Sequence, residues 1–200
     1  MEASAWHRAQ SDHGAATRWQ TAHLDWFSAD RRVDAHLVNA AAVVWTASPC
    51  TDLTIGPTPN GRRPALTIRV AATVPPDHGD DAGWTDLAVE PDTGIVRQAT
   101  IALHPNRWSD LTERARTALL IHEMGHALGL AHTIQHDSMM FAGLQDRVAL
   151  AEDDVAAVCA VFAVSPKPTA APASAVWVIV LAPLMGALAT MADGKVIKYH

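Results

Sequence analysis

Residues 122–132 read HEMGHALGLAH, and this stretch decides the fold. In an α-helix, residues four apart lie on one face, so His122 and His126 can direct their imidazoles at one ion. Gly129 can end that helix in a left-handed conformation and turn the chain back, which brings His132 to the same ion. A catalytic zinc takes three protein ligands and keeps a further position for water. The stretch therefore predicts a catalytic zinc site on His122, His126 and His132.

Glu123, which directly follows His122, completes the pattern. Its carboxylate can reach a water at the metal without binding the ion, and a purely structural zinc site has no use for such a group. The chain has eleven histidines, so position must decide which of them bind metal, and this spacing rarely arises by chance. We therefore interpret Glu123 as the general base of a hydrolytic site.

The segments around this stretch predict an α+β fold. Apolar residues recur at helical spacing in some segments and alternate in others, with Pro, Gly and Asp between them. We expect Ser28 or Asp30 to cap the first helix, and Asp110 with Glu113 to cap the active-site helix. In chain order the pattern predicts a helix over 28–45, a strand over 66–74, a loop over 77–94, a strand over 95–103, the active-site helix over 109–128 and a last helix over 152–162.

The composition fits a globular domain with a hydrophobic core. The chain has 200 residues and a mass of 21.4 kDa, with 49% hydrophobic and 18% charged residues. The formal net charge is −6 and no block of Lys or Arg stands out, which argues against a nucleic-acid partner. Residues 1–18 are polar and show no signal-peptide core, so we expect an N-terminal extension before a domain over 19–164.

The character of the chain changes after residue 164. Residues 165–174 form a linker rich in Pro, Ala and Ser. Residues 175–192 are apolar and uncharged, and as a helix they just span a bilayer core of about 30 Å. Residues 193–200 form a short tail with two lysines, which prefer the cytoplasmic side of a membrane. We expect a membrane anchor, and a hydrophobic helix docked on the domain is the alternative.

The two cysteines, Cys50 and Cys159, are too few for a disulfide scaffold, and their spacing fits no paired-cysteine metal site. They form either one long-range disulfide in an oxidising compartment or two buried thiols. The residues alone leave both possibilities open.

Two motifs downstream of the histidines resemble features of a known family. Asp137–Phe141 reads DSMMF, and Leu150–Val155 reads LAEDDV. With the histidine pattern, they make the chain similar to the metzincin metalloproteases, and most similar to the matrixin branch of bacterial type. DSMMF resembles the family's Met-turn, whose methionine lies beneath the zinc. Its spacing from His132 favours Met140 for this role, with Met139 as the alternative. LAEDDV resembles the acidic start of the family's C-terminal helix.

This resemblance implies a metzincin-like zincin fold with a twisted mixed sheet, an active-site helix and a small C-terminal subdomain after Gly129. It implies one catalytic Zn²⁺ and a peptide or protein substrate, hydrolysed by a zinc-bound water with Glu123 as general base. The substrate is expected to lie extended and antiparallel to the edge strand near Ile95–Leu103. An extracellular or cell-surface location, with the chain anchored through its C-terminal segment, is the expected setting.

The chain also departs from the family pattern. Matrixins usually follow the Met-turn with Tyr-Pro-x-Tyr, whereas Phe141–Leu144 reads FAGL, so we expect a different pocket wall. Cysteines in similar places of bacterial matrixin-like proteins favour a disulfide between Cys50 and Cys159. A cysteine switch at Cys50, which would inhibit the enzyme through its thiol, is the weaker alternative.

Further metal sites are weaker hypotheses. His78–Asp80 faintly resembles part of the second, structural zinc site of matrixins, but partners at the right spacing are missing. Calcium is a second candidate cofactor without further support, because a solvated acidic loop explains its candidate ligands better. Those candidate ligands are Asp77, Asp80, Asp81, Asp86 and Asp92.

A different class of function is a catalytically silent, zinc-stabilised binding module on a membrane anchor. Such a module needs the histidines but not the carboxylate beside them. Because Glu123 is present, the sequence favours the peptidase.

Overall fold

The computed structural model describes residues 6–143, 146–162 and 195–199. The expected linker over 165–174 and the expected anchor over 175–192 lie outside the described residues, and both stay predictions. Within the described ranges, no helix combines the length and the hydropathy that crossing a bilayer requires.

One mixed sheet forms the frame of the described chain. Its strands are β1 (His23–Ser28), β2 (Thr54–Pro57), β3 (Leu66–Val70), β4 (Gly83–Val89), β5 (Val96–Leu103) and β6 (Lys195–Tyr199). Their spatial order is β2-β1-β3-β5-β4-β6. The pairs β2–β1, β1–β3 and β3–β5 are parallel, whereas β5–β4 and β4–β6 are antiparallel. The mixed sheet and its helices confirm the predicted α+β class.

The helices of the described residues are α1 (Ala35–Thr46), α2 (Pro105–Asp110), α3 (Glu113–Ala127) and α4 (Glu152–Phe162). α1 and α3 pack against each other, and the indole N–H of Trp45 donates to the backbone oxygen of Ile121, 2.9 Å away. Trp45 is fully buried, so this bond satisfies a polar group that would otherwise cost free energy in the core. The contact holds α3 against the body of the fold.

The first helix begins later than its sequence pattern predicts. Ser28 ends β1, and α1 starts only at Ala35. Asp34 caps the helix by accepting a hydrogen bond from the backbone N–H of His36. The predicted caps Ser28 and Asp30 were therefore wrong, because the segment before Asp34 is occupied by a strand and a turn.

α3 confirms the active-site helix expected over 109–128, but it begins a few residues later than predicted. α2 ends at Asp110, and α3 begins after Thr112, whose side chain accepts a hydrogen bond from the backbone N–H of Ala115. The predicted capping pair of Asp110 and Glu113 was wrong, because Thr112 provides the cap.

β4 lies inside the segment that we expected to be a loop over 77–94. Its seven residues read GWTDLAV, and most of them are buried. The Asp, Gly and Pro residues around them indicate a loop, whereas pairing on both sides makes this segment a strand.

The predicted substrate edge at Ile95–Leu103 was also wrong. β5 pairs with β3 on one side and with β4 on the other, so its backbone groups are already used. β4 lies outside β5 and contacts α3, and its outer side is paired with β6. The strand that borders the active-site helix at the outer part of the sheet is therefore β4.

Cys50 and Cys159 form a disulfide, which joins the segment after α1 to α4. This confirms the pairing that the family resemblance favoured. The cysteine-switch alternative was wrong, because the Cys50 sulfur is held in the disulfide and has no thiol to offer.

The described part of the expected N-terminal extension, residues 6–18, packs against the rest of the fold. The backbone N–H of Ala9 donates to the oxygen of Gly129, and the N–H of Ala131 donates to the oxygen of His7, each over 2.9 Å. These residues support the turn that follows α3. The domain boundary at 18/19 stays a prediction.

Candidate metal centre

α3 carries His122, Glu123 and His126, and its periodicity places the two histidines on one face. Gly125, between them, allows the turn that contains Met140 to approach the helix closely. A Cβ on Gly125 would clash with the sulfur of Met140, so only glycine fits this contact. The contact between Gly125 and Met140 therefore fixes the distance between α3 and the turn that contains Met140.

The turn after α3 brings His132 to the other two histidines. Gly129 has φ +99°, a conformation that glycine adopts without steric penalty. A Cβ at Gly129 would also lie 2.8 Å from Oγ1 of Thr17, so the packing of the N-terminal segment requires glycine as well. The N–H of Leu130 donates to the oxygen of Gly125 at 3.0 Å and closes the helix end. The chain reverses where the sequence predicted.

The Nε2 atoms of His122, His126 and His132 form a triangle with sides of 3.1 Å. Tetrahedral zinc with Zn–N bonds of about 2.0–2.1 Å places its nitrogen ligands about 3.3–3.4 Å apart, which is close to this spacing. Among the described residues, these three histidines are the one group of metal-binding side chains whose ligand atoms lie within 4.8 Å of one another. The donor set fits a single zinc ion.

Hydrogen bonds at the opposite ring nitrogens orient the imidazoles. Nδ1 of His122 lies 2.7 Å from the backbone oxygen of Met139, and Nδ1 of His126 lies 2.8 Å from that of Leu130. A carbonyl oxygen only accepts, so each Nδ1 carries the proton and each Nε2 keeps its lone pair. Lone pairs 3.1 Å apart repel one another unless a cation lies between them. The arrangement is therefore typical of a metal site with oriented ligands.

Burial changes the proton affinity of His122 and Glu123. It lowers the pKa of His122 to about 4, so the imidazole is neutral at pH 7 and able to bind a metal. It raises the pKa of the Glu123 carboxyl to about 8, although the hydrogen bond from Thr85 opposes this shift. A cation on the imidazoles would lower the Glu123 pKa again, because an opposite charge stabilises the carboxylate.

The two methionines of the turn below α3 have different contacts. The sulfur of Met140 packs against Gly125, beneath the histidines, whereas Met139 offers its backbone oxygen to His122. Both methionines are buried. This placement supports Met140 as the Met-turn residue and places the backbone oxygen of Met139 where it orients the ring of His122.

Asp154 is a residue of this site that the sequence pattern did not single out. Its buried carboxylate accepts hydrogen bonds from the Ser138 hydroxyl at 2.5 Å and from the N–H of Met139 at 2.7 Å. It also accepts from the N–H of Ala151 at 2.8 Å. Asp154 therefore ties α4 to the turn that supports His122. The LAEDDV motif contains Asp154, but the motif alone does not distinguish Asp154 from Glu152 and Asp153.

A cavity of about 380 Å³ opens beside the histidines. His122, Glu123 and His132 line it, together with apolar residues such as Leu119. Gly143 also lines it and belongs to the segment that departs from the family's Tyr-Pro-x-Tyr pattern. The cavity can therefore receive a side chain of a ligand next to the metal site.

The other suggested metal ligands form no comparable group within the described ranges. His78 is fully buried, stacks on Trp84 with ring centroids 4.7 Å apart, and has its Nδ1 2.9 Å from Asp81. Asp80 forms an ion pair of 3.2 Å with Arg107. The weak suggestions of a structural zinc at His78–Asp80 and of calcium gain no support from this geometry.

Comparison with known proteins assigns the family. The family model of the matrixins, peptidase family M10, matches residues 16–163, which include the whole histidine triangle. The chain therefore belongs to the matrixin family, and the resemblance is confirmed. A search of curated proteins found no match. Matrixins are metalloproteases that normally bind zinc, so the family indicates a metalloprotease that acts on peptides or proteins.

Proposed function

We propose that this chain is a zinc-dependent endopeptidase with His122, His126 and His132 as metal ligands and Glu123 as general base. One observation carries the proposal: three Nε2 atoms lie 3.1 Å apart, and the next residue after the first ligand is a buried carboxylic acid. The family assignment supports it independently. A purely structural zinc site explains the triangle but gives Glu123 no task.

His122, His126 and His132 would hold the zinc, and the ion would supply Lewis acidity toward a scissile carbonyl and a neighbouring water. The Nε2 atoms of the three imidazoles point toward one position. Because they are already arranged this way, no free energy is spent on reorienting them during the reaction. Met139, through its backbone oxygen, keeps His122 in the required tautomer.

Glu123 moves the protons. Its carboxylate accepts a proton from the attacking water and returns it to the nitrogen of the leaving amine. Burial raises the pKa of the Glu123 carboxyl, and a cation on the imidazoles would oppose this shift and keep the group ionised at neutral pH, ready to accept a proton. Proton transfer by a positioned side chain contributes about 10²–10⁴-fold to the rate.

The substrate is a peptide or protein in an extended conformation. β4 borders the active-site helix, and an extended peptide would pair antiparallel with its outer edge, which requires that β6 leaves that edge. A side chain next to the scissile bond enters the cavity beside His122 and Glu123. FAGL stands where matrixins usually have the Tyr-Pro-x-Tyr wall of the substrate pocket. The substrate side chains that this pocket accepts must therefore be determined from cleavage products and not inferred from other matrixins.

An extracellular or cell-surface location is part of this proposal. The disulfide between Cys50 and Cys159 supports it, because disulfides persist in oxidising compartments and are rare in a reducing cytoplasm.

Glu123→Ala tests the proposal. We expect hydrolysis of an unbiased peptide library to fall by about 10²–10⁴-fold, while zinc content stays near that of the wild type. Glu113→Ala is the matched control, because Glu113 lies on the same helix but is exposed. Chelator should abolish wild-type cleavage, and added zinc should restore it.

Two outcomes would contradict the assignment. Retained turnover in Glu123→Ala would remove Glu123 as the base, and loss of zinc in that variant would make it a ligand. A wild-type chain that holds zinc but cleaves no peptide would instead favour the catalytically silent binding module.

A further inference from the structure

Thr85 lies on β4, directly opposite the carboxyl group of Glu123. Its side chain is fully buried, and its Oγ1 is 2.7 Å from Oε2 of Glu123. The same oxygen lies 3.1 Å from the backbone oxygen of Glu123. Thr85 therefore contacts both the side chain and the main chain of the proposed general base.

The hydrogen bond between Thr85 and Glu123 has only one possible direction when Glu123 is ionised. An ionised carboxylate only accepts hydrogen bonds, so the Thr85 hydroxyl must donate when Glu123 is charged. A hydroxyl has a single proton, and the shorter contact is the one to Oε2. A hydrogen bond from a neutral donor to an ionised acceptor is stronger than one between neutral groups. Thr85 thus fixes one of the two carboxylate oxygens of Glu123.

Gly83 leaves room for the other oxygen. Residues two apart on a strand face the same side, so Gly83 and Thr85 face α3 together. A Cβ on Gly83 would lie 3.2 Å from Oε1 and 3.4 Å from Cδ of Glu123, which is tighter than an ordinary contact. On the face of β4 that contacts α3, Thr85 therefore offers a donor to one carboxylate oxygen of Glu123, and Gly83 leaves space for the other.

We propose that Thr85 is a positioning residue of the peptidase, which holds the Glu123 carboxylate in the orientation that proton transfer needs. This inference rests on the proposed function. A general base must lie within hydrogen-bond reach of the proton it accepts, and a misplacement of about 1 Å can cost about 10²-fold in rate. The buried hydroxyl of Thr85 contacts Glu123, so the side chain of Thr85 acts through Glu123.

Thr85→Val is the main test, because valine has nearly the shape of threonine and carries a methyl group in place of the hydroxyl donor. We expect kcat to fall about 10–100-fold with KM within about twofold, because orientation affects the chemical step rather than binding. Zinc content should stay close to that of the wild type, and Tm should fall by only a few degrees, because one buried carboxylate oxygen loses its donor. Thr85→Ser restores the hydroxyl and should recover kcat to within about threefold of wild type.

Two further variants test the positioning role of Thr85. Thr100→Val is the matched control, because Thr100 on β5 pairs with the residue after Thr85 and so points to the opposite face of the sheet. It should leave kcat unchanged. Gly83→Ala keeps the Thr85 hydroxyl but narrows the space at Oε1, and it should also lower kcat.

The outcomes separate the inference from the proposed function. An active wild type with Thr85→Val at full kcat, or with Thr85→Ser as impaired as Thr85→Val, overturns the positioning role alone. Loss of zinc or a large fall in Tm in Thr85→Val makes Thr85 a structural residue and overturns the role as well. A wild-type chain without turnover overturns the proposed function, and this inference falls with it.

Discussion

Gly129 governs the change of chain direction that brings His132 to the metal centre. Replacing Gly129 by Ala would strain a backbone held at φ +99° and would push the new Cβ toward Thr17 Oγ1, 2.8 Å away. We expect the free energy of unfolding to fall by about 1–3 kcal/mol. Zinc affinity, measured against a competing chelator, should also fall because His132 moves.

Gly61→Ala is the control for this substitution. Gly61 also has a left-handed backbone, with φ +80°, but nothing lies within 4 Å of the position of its Cβ. It should lower stability by about 1 kcal/mol and leave zinc affinity unchanged. Equal zinc affinity in the wild type and in Gly129→Ala would contradict the role of this turn.

Asp154 links the last helix to the metal site through hydrogen bonds to Ser138 and Met139. Removing the carboxylate in Asp154→Ala leaves buried donors unsatisfied, so we expect a loss of about 2–4 kcal/mol in the free energy of unfolding. Zinc should bind more weakly, because the Met139 oxygen that orients His122 is no longer held. Denaturant unfolding and chelator competition measure the two effects.

The exposed Glu152, in the same helical turn, provides the comparison for Asp154. Glu152→Ala should cost only about 0.3–1 kcal/mol through the helix dipole and should not change zinc affinity. If Asp154→Ala and Glu152→Ala lower the free energy of unfolding and the zinc affinity equally, Asp154 acts through the helix dipole and not through its hydrogen bonds to Ser138 and Met139.

Among the elements, the disulfide joins the segment after α1 to α4 across 109 residues. Closing a loop of this length restricts the unfolded chain and stabilises the fold by about 4–5 kcal/mol in the chain-entropy model. We expect the paired variant Cys50→Ser, Cys159→Ser to unfold at a clearly lower temperature. Peptide hydrolysis at low temperature should persist, because neither cysteine touches the metal site.

Reductant is the control for the disulfide. It should lower the Tm of the wild type and leave that of the double variant unchanged. A digest without reductant should yield one peptide pair joined through Cys50 and Cys159. Two alkylatable thiols after preparation under oxidising conditions would contradict the bridge and remove the main support for export.

β4 shows how an element can be missed in the sequence. Its neighbours in the chain carry Asp, Gly and Pro, which indicate a loop, and its seven residues are too few to outweigh them. Pairing with β5 supplies the missing free energy, because the strand buries its side chains and satisfies its backbone groups there. The same strand carries Thr85, so the contact between Thr85 and the proposed general base Glu123 could not be predicted from the sequence.

In the whole molecule, β6 occupies the outer edge of β4, where an extended substrate would pair. The register places Tyr199 opposite Thr85 and Lys195 opposite Val89, so β6 runs toward the Glu123 end of β4. One edge cannot pair with two strands at once. Substrate binding along β4 therefore requires that β6 leaves this edge.

Deleting residues 195–200 should for this reason lower KM for long peptide substrates and leave kcat little changed. A variant with Val196→Pro and Lys198→Pro keeps the chain length but removes two backbone N–H donors, and it should lower KM in the same way. Steady-state kinetics on peptides of increasing length measure the effect. An unchanged KM in both variants would show that β6 does not compete with substrate.

The same pairing bears on the apolar segment over 175–192, which lies outside the described residues. If that segment crossed a bilayer once, residues 195–199 would lie on the side opposite the catalytic domain and could not pair with β4. Membrane fractionation of the full chain, compared with a chain ending at residue 164, separates the two arrangements. A full chain found in the membrane fraction only would favour the anchor over the β6 pairing.

The sequence by itself determined the histidine pattern, the helix that carries it and the turn at Gly129. These features depend on residues a few positions apart, where helical periodicity and the conformational freedom of glycine decide the geometry. The position of Glu123 beside His122 belongs to the same local pattern, which is why the sequence alone was enough to propose Glu123 as the general base.

Only the tertiary structure decided which distant residues complete the site. Thr85 lies 38 positions before Glu123 in the chain, and Asp154 lies 16 positions after Ser138. Such contacts depend on sheet register and helix packing, which no local periodicity encodes. The same reason explains why β4 lies outside β5 and why β6 lies beside β4, because the free energy of the whole sheet decides the pairing.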